Sequence, residues 1–279
     1  MNHFRLDERE KKWLSKAEDL TDDFIRHTRH VLPVLARLCL VSTFFEDGCR
    51  MFQQWSDQVA FYQESWYIPP ILGHLLVIHG VFGQIGSVCM ILARKKIPWS
   101  VAVLGSVVLS QTILYRIFWE PKFLLRNVSI AGALIFLAAE TFKEPESLFA
   151  GLPSGGDENN LRCMLMLVGR CCLALMYLTM IKFEFSLYRM LNLFISFGLM
   201  SCVIVGYRTR LMALVVAIFF FVINFYDNAW WTVPNDSNRF YRDFMKYDFF
   251  QALSVIGGLL LVIAYGPGGV SYDDFKKQW

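Results

Sequence analysis

Apolar residues along this chain gather into runs of bilayer length, separated by short polar breaks. A spanning helix needs about 20 mainly apolar residues, within a range of about 17–25. Eight stretches meet that standard, at 31–48, 70–93, 97–117, 123–142, 161–182, 187–205, 209–226 and 247–266. The first is the weakest, because Arg37 interrupts it and Glu46-Asp47 close it. The breaks carry helix-stopping or charged residues, as in Arg94-Lys95-Lys96-Ile97-Pro98, Trp119-Glu120-Pro121-Lys122 and Tyr207-Arg208-Thr209-Arg210. This pattern predicts an all-α polytopic membrane protein of about eight transmembrane helices, with 48–69 and 227–246 as loops.

Sidedness follows from the basic residues, which are enriched in short cytoplasmic loops. Sixteen Lys and Arg fall on the side of the N-terminal tail and nine on the other, with Arg37 and Arg170 inside spans. An even number of spans also returns both ends to one side, so the N- and C-termini are both expected in the cytosol. The chain then divides into a cytosolic N-terminal segment at 1–30, a first four-helix half at 31–142, a cytosolic linker at 143–160, a second four-helix half at 161–266 and a cytosolic tail at 267–279. The halves echo one another. Ala36-Arg37-Leu38-Cys39-Leu40 resembles Gly169-Arg170-Cys171-Cys172-Leu173, and Ser129-Ile130-Ala131-Gly132 resembles Ser254-Val255-Ile256-Gly257. Four spans per half make these parallel rather than inverted repeats.

Composition narrows the function. The 279 residues are 55% hydrophobic and 18% charged, against about 25% charged in soluble domains, which excludes an ordinary soluble enzyme or a disordered chain. A net charge of +3 offers no basic face for nucleic acid. The seven cysteines form no CxxC pair, so neither a disulfide framework nor a metal site is expected. No nucleophile elbow, HExxH or phosphate loop occurs, so no catalytic residues and no cofactor are assigned. The first 30 residues lack the apolar core of a cleaved signal peptide.

Four groups of residues invite a role. Trp13, Ala17, Leu20 and Phe24 recur at helical spacing in a charged setting, the pattern of an amphipathic helix lying on the membrane surface or against the bundle. Arg37 and Arg170 each cost at least about 2.5–3.5 kcal/mol if left uncompensated within a bilayer; they are expected to snorkel or pair, with Glu140 available to Arg37 where the first and fourth spans are neighbours, and gating is the alternative. On the opposite side, the acids Glu46, Asp47, Glu120 and Asp227 stand near Trp119, Trp230 and Trp231. Such aromatics make interfacial belts, yet acids beside exposed aromatics also suit a peptide-binding surface, where a few aromatic residues supply most of the affinity. Finally, Lys276 and Lys277 stand four and three positions from the C-terminus, a dilysine retrieval signal of the kind read by receptors rather than by lipid.

Two further features read as structural. His74 and His79, five residues apart, are rotated by about 140° on a helix and make no two-ligand metal face. Gly80, Gly83 and Gly86 within one span serve close helix packing. Asn235-Asp236-Ser237 is a glycosylation sequon on the lumenal side, close to the membrane.

Along essentially its whole length the sequence resembles the surfeit locus protein 4 family of endoplasmic reticulum cargo receptors. The carrying residues are Glu18-Asp19, Ala36-Arg37-Leu38, Phe44-Phe45-Glu46-Asp47-Gly48, Trp119-Glu120, Phe225-Tyr226-Asp227-Asn228 and Lys276-Lys277-Gln278-Trp279. The resemblance implies a multi-pass receptor that loads soluble secretory cargo, lipoproteins included, into COPII vesicles. It also implies cycling through the intermediate compartment and Golgi, with return by COPI. Partners so implied are cargo, the two coats and membrane lipids, and self-association stays open. A multispanning small-molecule or lipid transporter, or a redox-linked membrane protein, is the alternative reading.

Overall fold

The computed structural model describes residues 8–141, 164–175, 187–234 and 239–266. The 143–160 linker, Asn235 and the 267–279 tail with Lys276 and Lys277 lie outside the described residues, as does the side chain of Glu140. Described residues form ten α-helices: α1 (Glu8–Thr28), α2 (Leu32–Gln53), α3 (Trp55–Trp66), α4 (Pro70–Leu92), α5 (Ile97–Leu114), α6 (Pro121–Thr141), α7 (Met164–Leu175), α8 (Leu187–Val205), α9 (Thr209–Asp227) and α10 (Arg239–Tyr265). Short 3-10 turns occupy Ile117–Trp119 and Trp230–Thr232.

Local chemistry explains the punctuation. Proline stands in the first turn of α2, α4, α5 and α6, where its missing N–H leaves no bond unmade. The breaks themselves hold left-handed residues, at Tyr67, Arg94, Lys96, Arg116 and Arg208, with Gly206 ending α8 in the same conformation. That conformation ends a helix by turning the chain out of its spiral.

At the centre, α2 packs along α10. Ala36, Leu40 and Phe44 recur every four residues on α2, so they share one buried face, and they join Val255, Ile256, Leu259 and Ile263 of α10 in the main core. The closest approach is at Gly257, where a Cβ would lie 2.5 Å from the Leu40 amide nitrogen and 2.7 Å from the Ala36 carbonyl oxygen. Two hydroxyls tie the pair further: Ser254 donates to the Leu40 carbonyl at 2.9 Å and Thr43 to the Phe250 carbonyl at 2.9 Å. Such bonds bridge helices whose backbones approach closely. Helices α4, α5, α6 and α9 add to the same core through Ile91, Leu104, Leu137 and Val216, all fully buried. Gly80 and Gly83 serve packing, against Met51 and Val107, whereas nothing approaches Gly86.

Among the described residues, four helical stretches are long and apolar enough to cross a membrane: Pro70–Leu92, Ile97–Leu114, Thr209–Thr232 and Tyr241–Ala264. Phe123–Ala139, Met164–Leu175 and Leu193–Val205 are shorter apolar helices. Exposed Ile71, Leu75, Ile78 and Phe82 on α4, and Ile218, Phe221, Val222 and Phe225 on α9, are the faces lipid covers in a polytopic protein. The central α2 is absent from the four because it is charged, and it tolerates charge because Arg37, Glu46 and Asp47 lie on its buried side.

Two expected loops are largely helical. In place of a loop over 48–69, α2 continues to Gln53 and α3 follows at once, because Val59 and Tyr62 bury against Met51, Val77 and Val81. In place of a loop reaching 246, α10 begins at Arg239, since its outer turns bury Met245, Asp248 and Phe249.

Candidate functional site

The ends of α2, α5 and α9 and the starts of α4, α6 and α10 meet at one face of the bundle, the face that the charge bias assigns to the lumen. A cavity of about 360 Å³ opens there, its largely apolar wall formed by residues such as Phe44, Val108, Phe123 and Phe244 and set with the polar groups of Asp47, Gln84, Gln111 and Tyr115. A second, of about 220 Å³, is lined by Glu46, Arg50, Gln53, Gln54, Arg242, Asp243 and Lys246. Arg50, Gln54 and Asp243 form a wall common to both.

Asp47 organises this chamber. Its Oδ2 accepts hydrogen bonds from the amides of Gln84 on α4 and Gln111 on α5, each at 2.8 Å, and its Oδ1 pairs with Arg50 one turn along α2. Three helices are thereby tied to one carboxylate. Glu46, next in sequence, points to α10, where Lys246 Nζ lies 3.5 Å away. Gln54 Nε2 donates to Asp243 at 3.3 Å. On the α3 side, the Tyr62 hydroxyl donates to that of Tyr115 at 3.3 Å, and Tyr115 donates to Gln58. Burial pushes the Tyr62 phenol above its ordinary value, while the bond to Tyr115 works the other way. The phenols therefore stay neutral donors and acceptors at neutral pH.

Beside the chamber, Arg126 of α6 and Asp248 of α10 form a buried ion pair at 3.0 Å. The guanidinium also sits 5.7–5.9 Å from the ring centres of Phe123, Phe244 and Tyr247. Arg116 is occupied elsewhere, donating to the Ser65 carbonyl at 2.9 Å and stacking on Trp66 at 4.9 Å. Neither of these arginines neutralises the chamber acids; Arg50 and Lys246 do.

Of the expected site residues, Glu46 and Asp47 line the chamber. Trp119 and Glu120 stand exposed on the turn before α6 and line neither cavity. Asp227 ends α9, half-buried. Trp230 and Trp231 form an edge-to-face pair at 6.0 Å that continues into Phe225 and Phe249. Lys246 links this cluster to the chamber, with its ammonium 5.7 Å from the Trp230 ring and facing Glu46. Arg37 and Arg170 are both buried; Arg37 Nε donates to the Pro33 carbonyl at 2.9 Å. His74 accepts from Trp55 Nε1 at 2.9 Å while His79 meets Ser106 at 3.3 Å, so the two histidines serve different neighbours.

Sequence reasoning missed Gln84, Gln111, Arg50, Arg126 and Asp248. The signal for Gln84, Gln111 and Asp248 was present: a polar residue inside an apolar run is expensive unless partnered, and so marks a buried contact. With balanced acids and cations and several amides, the chamber can hold a zwitterionic or peptide-like group by hydrogen bonds on several sides.

Fold and site together define a polytopic helical membrane protein with a cavity at one face into which acids, cations and amides project. The chain belongs to the SURF4 family, whose sequence profile matches residues 11–279. It is 45% identical over 268 residues to the surfeit locus protein 4 homolog of Drosophila melanogaster, covering 96% of this chain and 98% of that protein. It is 33% identical over 271 residues to the ER-derived vesicles protein ERV29 of Saccharomyces cerevisiae, covering 96% and 84%. The surfeit locus protein 4 homolog of Schizosaccharomyces pombe is 33% identical over 278 residues, covering 97% and 88%. No solved structure matches the chain.

Proposed function

We propose that this protein is a cargo receptor of the endoplasmic reticulum membrane that gathers soluble secretory proteins, lipoproteins included, for COPII vesicles. It returns from the Golgi and intermediate compartment by COPI through Lys276 and Lys277. The observation that carries this reading is the chamber, open at the face that the basic-residue bias assigns to the lumen, in a chain similar over nearly its full length to a protein named for ER-derived vesicles. Within the chamber, Glu46 and Asp47 are held by Lys246 and Arg50 at a partly desolvated site, and a cargo α-amine binds there by displacing one of those cations from its carboxylate. Trp119, Trp230 and Trp231, with Glu120 and Asp227, supply the outer surface against which the first cargo side chains rest.

Changing Glu46, Asp47, Glu120 and Asp227 singly to their amides tests the assignment. A hydrogen bond to a charged group contributes about 1.5–3 kcal/mol, so loss of a contact at Glu46 or Asp47 should weaken cargo co-precipitation by roughly 10- to 100-fold, with cargo retained in the cell. Variants at normal level and location that all export cargo like the parent would remove the acids from the site. Undiminished secretion after deletion of the whole protein would remove the receptor function.

A further inference from the structure

Among the described residues, helix α1 meets the bundle along one side. Glu18 pairs with Arg208 Nε at 3.2 Å and Asp22 with Arg210 at 3.6 Å, at the start of α9. Between them on the same side, Thr21 is buried and Ile25 packs against the main core. At 3.6 residues per turn, Trp13, Leu20 and Phe24 fall within about 40° of one another, and roughly 120–180° away from Glu18 and Asp22. That stripe is open: Trp13 is 73% and Leu20 72% exposed, and Phe24 is exposed too. A single helix surface carrying three large apolar side chains in water is unfavourable.

What covers the stripe is indicated by what it leads into. Exposed Val31 follows α1, and Val34, Leu35 and Leu38 then form one exposed apolar face of α2, the part of that central helix turned outward to lipid. The apolar stripe of α1 thus lies next in sequence to the lipid-facing part of α2, with exposed His27, Arg29 and His30 between Phe24 and Val31. Lys16 places its ammonium 5.5 Å from the Trp13 ring, the arrangement in which a long cationic chain keeps its head in the phosphate layer above a sunken aromatic. Glu18 and Asp22 meanwhile face Arg208 and Arg210 rather than the side that carries the stripe.

We propose that α1 is an interfacial membrane anchor with two working faces. Trp13, Leu20 and Phe24 lie at the headgroup–acyl boundary of the leaflet on the N-terminal side, and Glu18 and Asp22 clamp the helix to the start of α9. The anchor fixes the N-terminal segment flat on the membrane against the second half of the chain. It does not depend on what the chamber binds.

The test places the photoreactive residue p-benzoyl-phenylalanine at Leu20, at Phe24 or, as a control on the solvent side, at Asp19, in the full-length chain in endoplasmic reticulum microsomes. After illumination, adducts are sorted by added mass into phospholipid and protein. For an apolar face sunk into the interface, Leu20 and Phe24 positions should give phospholipid adducts at about tenfold or more the yield at Asp19. Predominantly protein adducts at Leu20 and Phe24 would show that a partner or second copy covers the stripe. Lipid yields equal to that at Asp19 would show that the stripe faces water. Either result overturns the anchor.

Discussion

Arg126 and Asp248 meet at 3.0 Å with only 2% and 4% of their side chains exposed. Each is tolerated in an apolar bundle because the other is there, and the rings around the guanidinium hold it in place. Removing one partner strands the other, at a cost of about 3–5 kcal/mol, whereas replacing both with apolar residues is often close to neutral. Asp248→Asn or Arg126→Met should therefore lower the thermal unfolding midpoint of the purified full-length chain sharply. Arg126→Met combined with Asp248→Leu should recover most of the loss. A double variant as unstable as the sum of the singles would mean that the two charges are not coupled.

At the level of helices, the α2–α10 contact depends on a missing side chain. Gly257→Val would drive a branched group into the backbone of Ala36 and Leu40, and overpacking of this kind costs about 1–3 kcal/mol or more. Gly86 meets nothing within 4 Å, so Gly86→Ala should stabilise α4 by up to about 1 kcal/mol through helix propensity alone. Thermal unfolding of the two variants side by side checks the contrast; equal effects would refute it. The same helices show how far the sequence could be read. The interval 70–93 became Pro70–Leu92 and 209–226 became Thr209–Asp227, because lipid-facing apolarity and the breaker residues both announce a span. Helix α3 was invisible as a helix, since Trp55, Tyr62 and Trp66 fit an interfacial belt equally well. Hydropathy also reports depth and not neighbours. Asp47 reads as an acid at the end of an apolar run, but nothing local says that Gln84 and Gln111 reach it from α4 and α5.

For the whole molecule, orientation and traffic are separately testable. Tags at residue 1 and residue 279 should both be open to antibody after selective permeabilisation of the plasma membrane, and one inserted near Asn235 should not. A protected C-terminus would overturn the even span count. Lys276→Ser with Lys277→Ser should shift steady-state fluorescence from the endoplasmic reticulum toward the Golgi; an unchanged distribution would take the dilysine pair out of the cycle. The charged central helix also has a consequence in time. Leu40 and Ser254, which bond across the α2–α10 contact, are 214 residues apart. At about 5–20 residues per second, α2 waits roughly 10–40 s for its main neighbour to be synthesised. Through that interval Arg37, Glu46 and Asp47 sit on the weakest of the eight apolar stretches without the shelter of α10. A chain cut short before α10 would leave those charges without their neighbour for good, so the loss of the last span is felt first at the opposite end of the sequence.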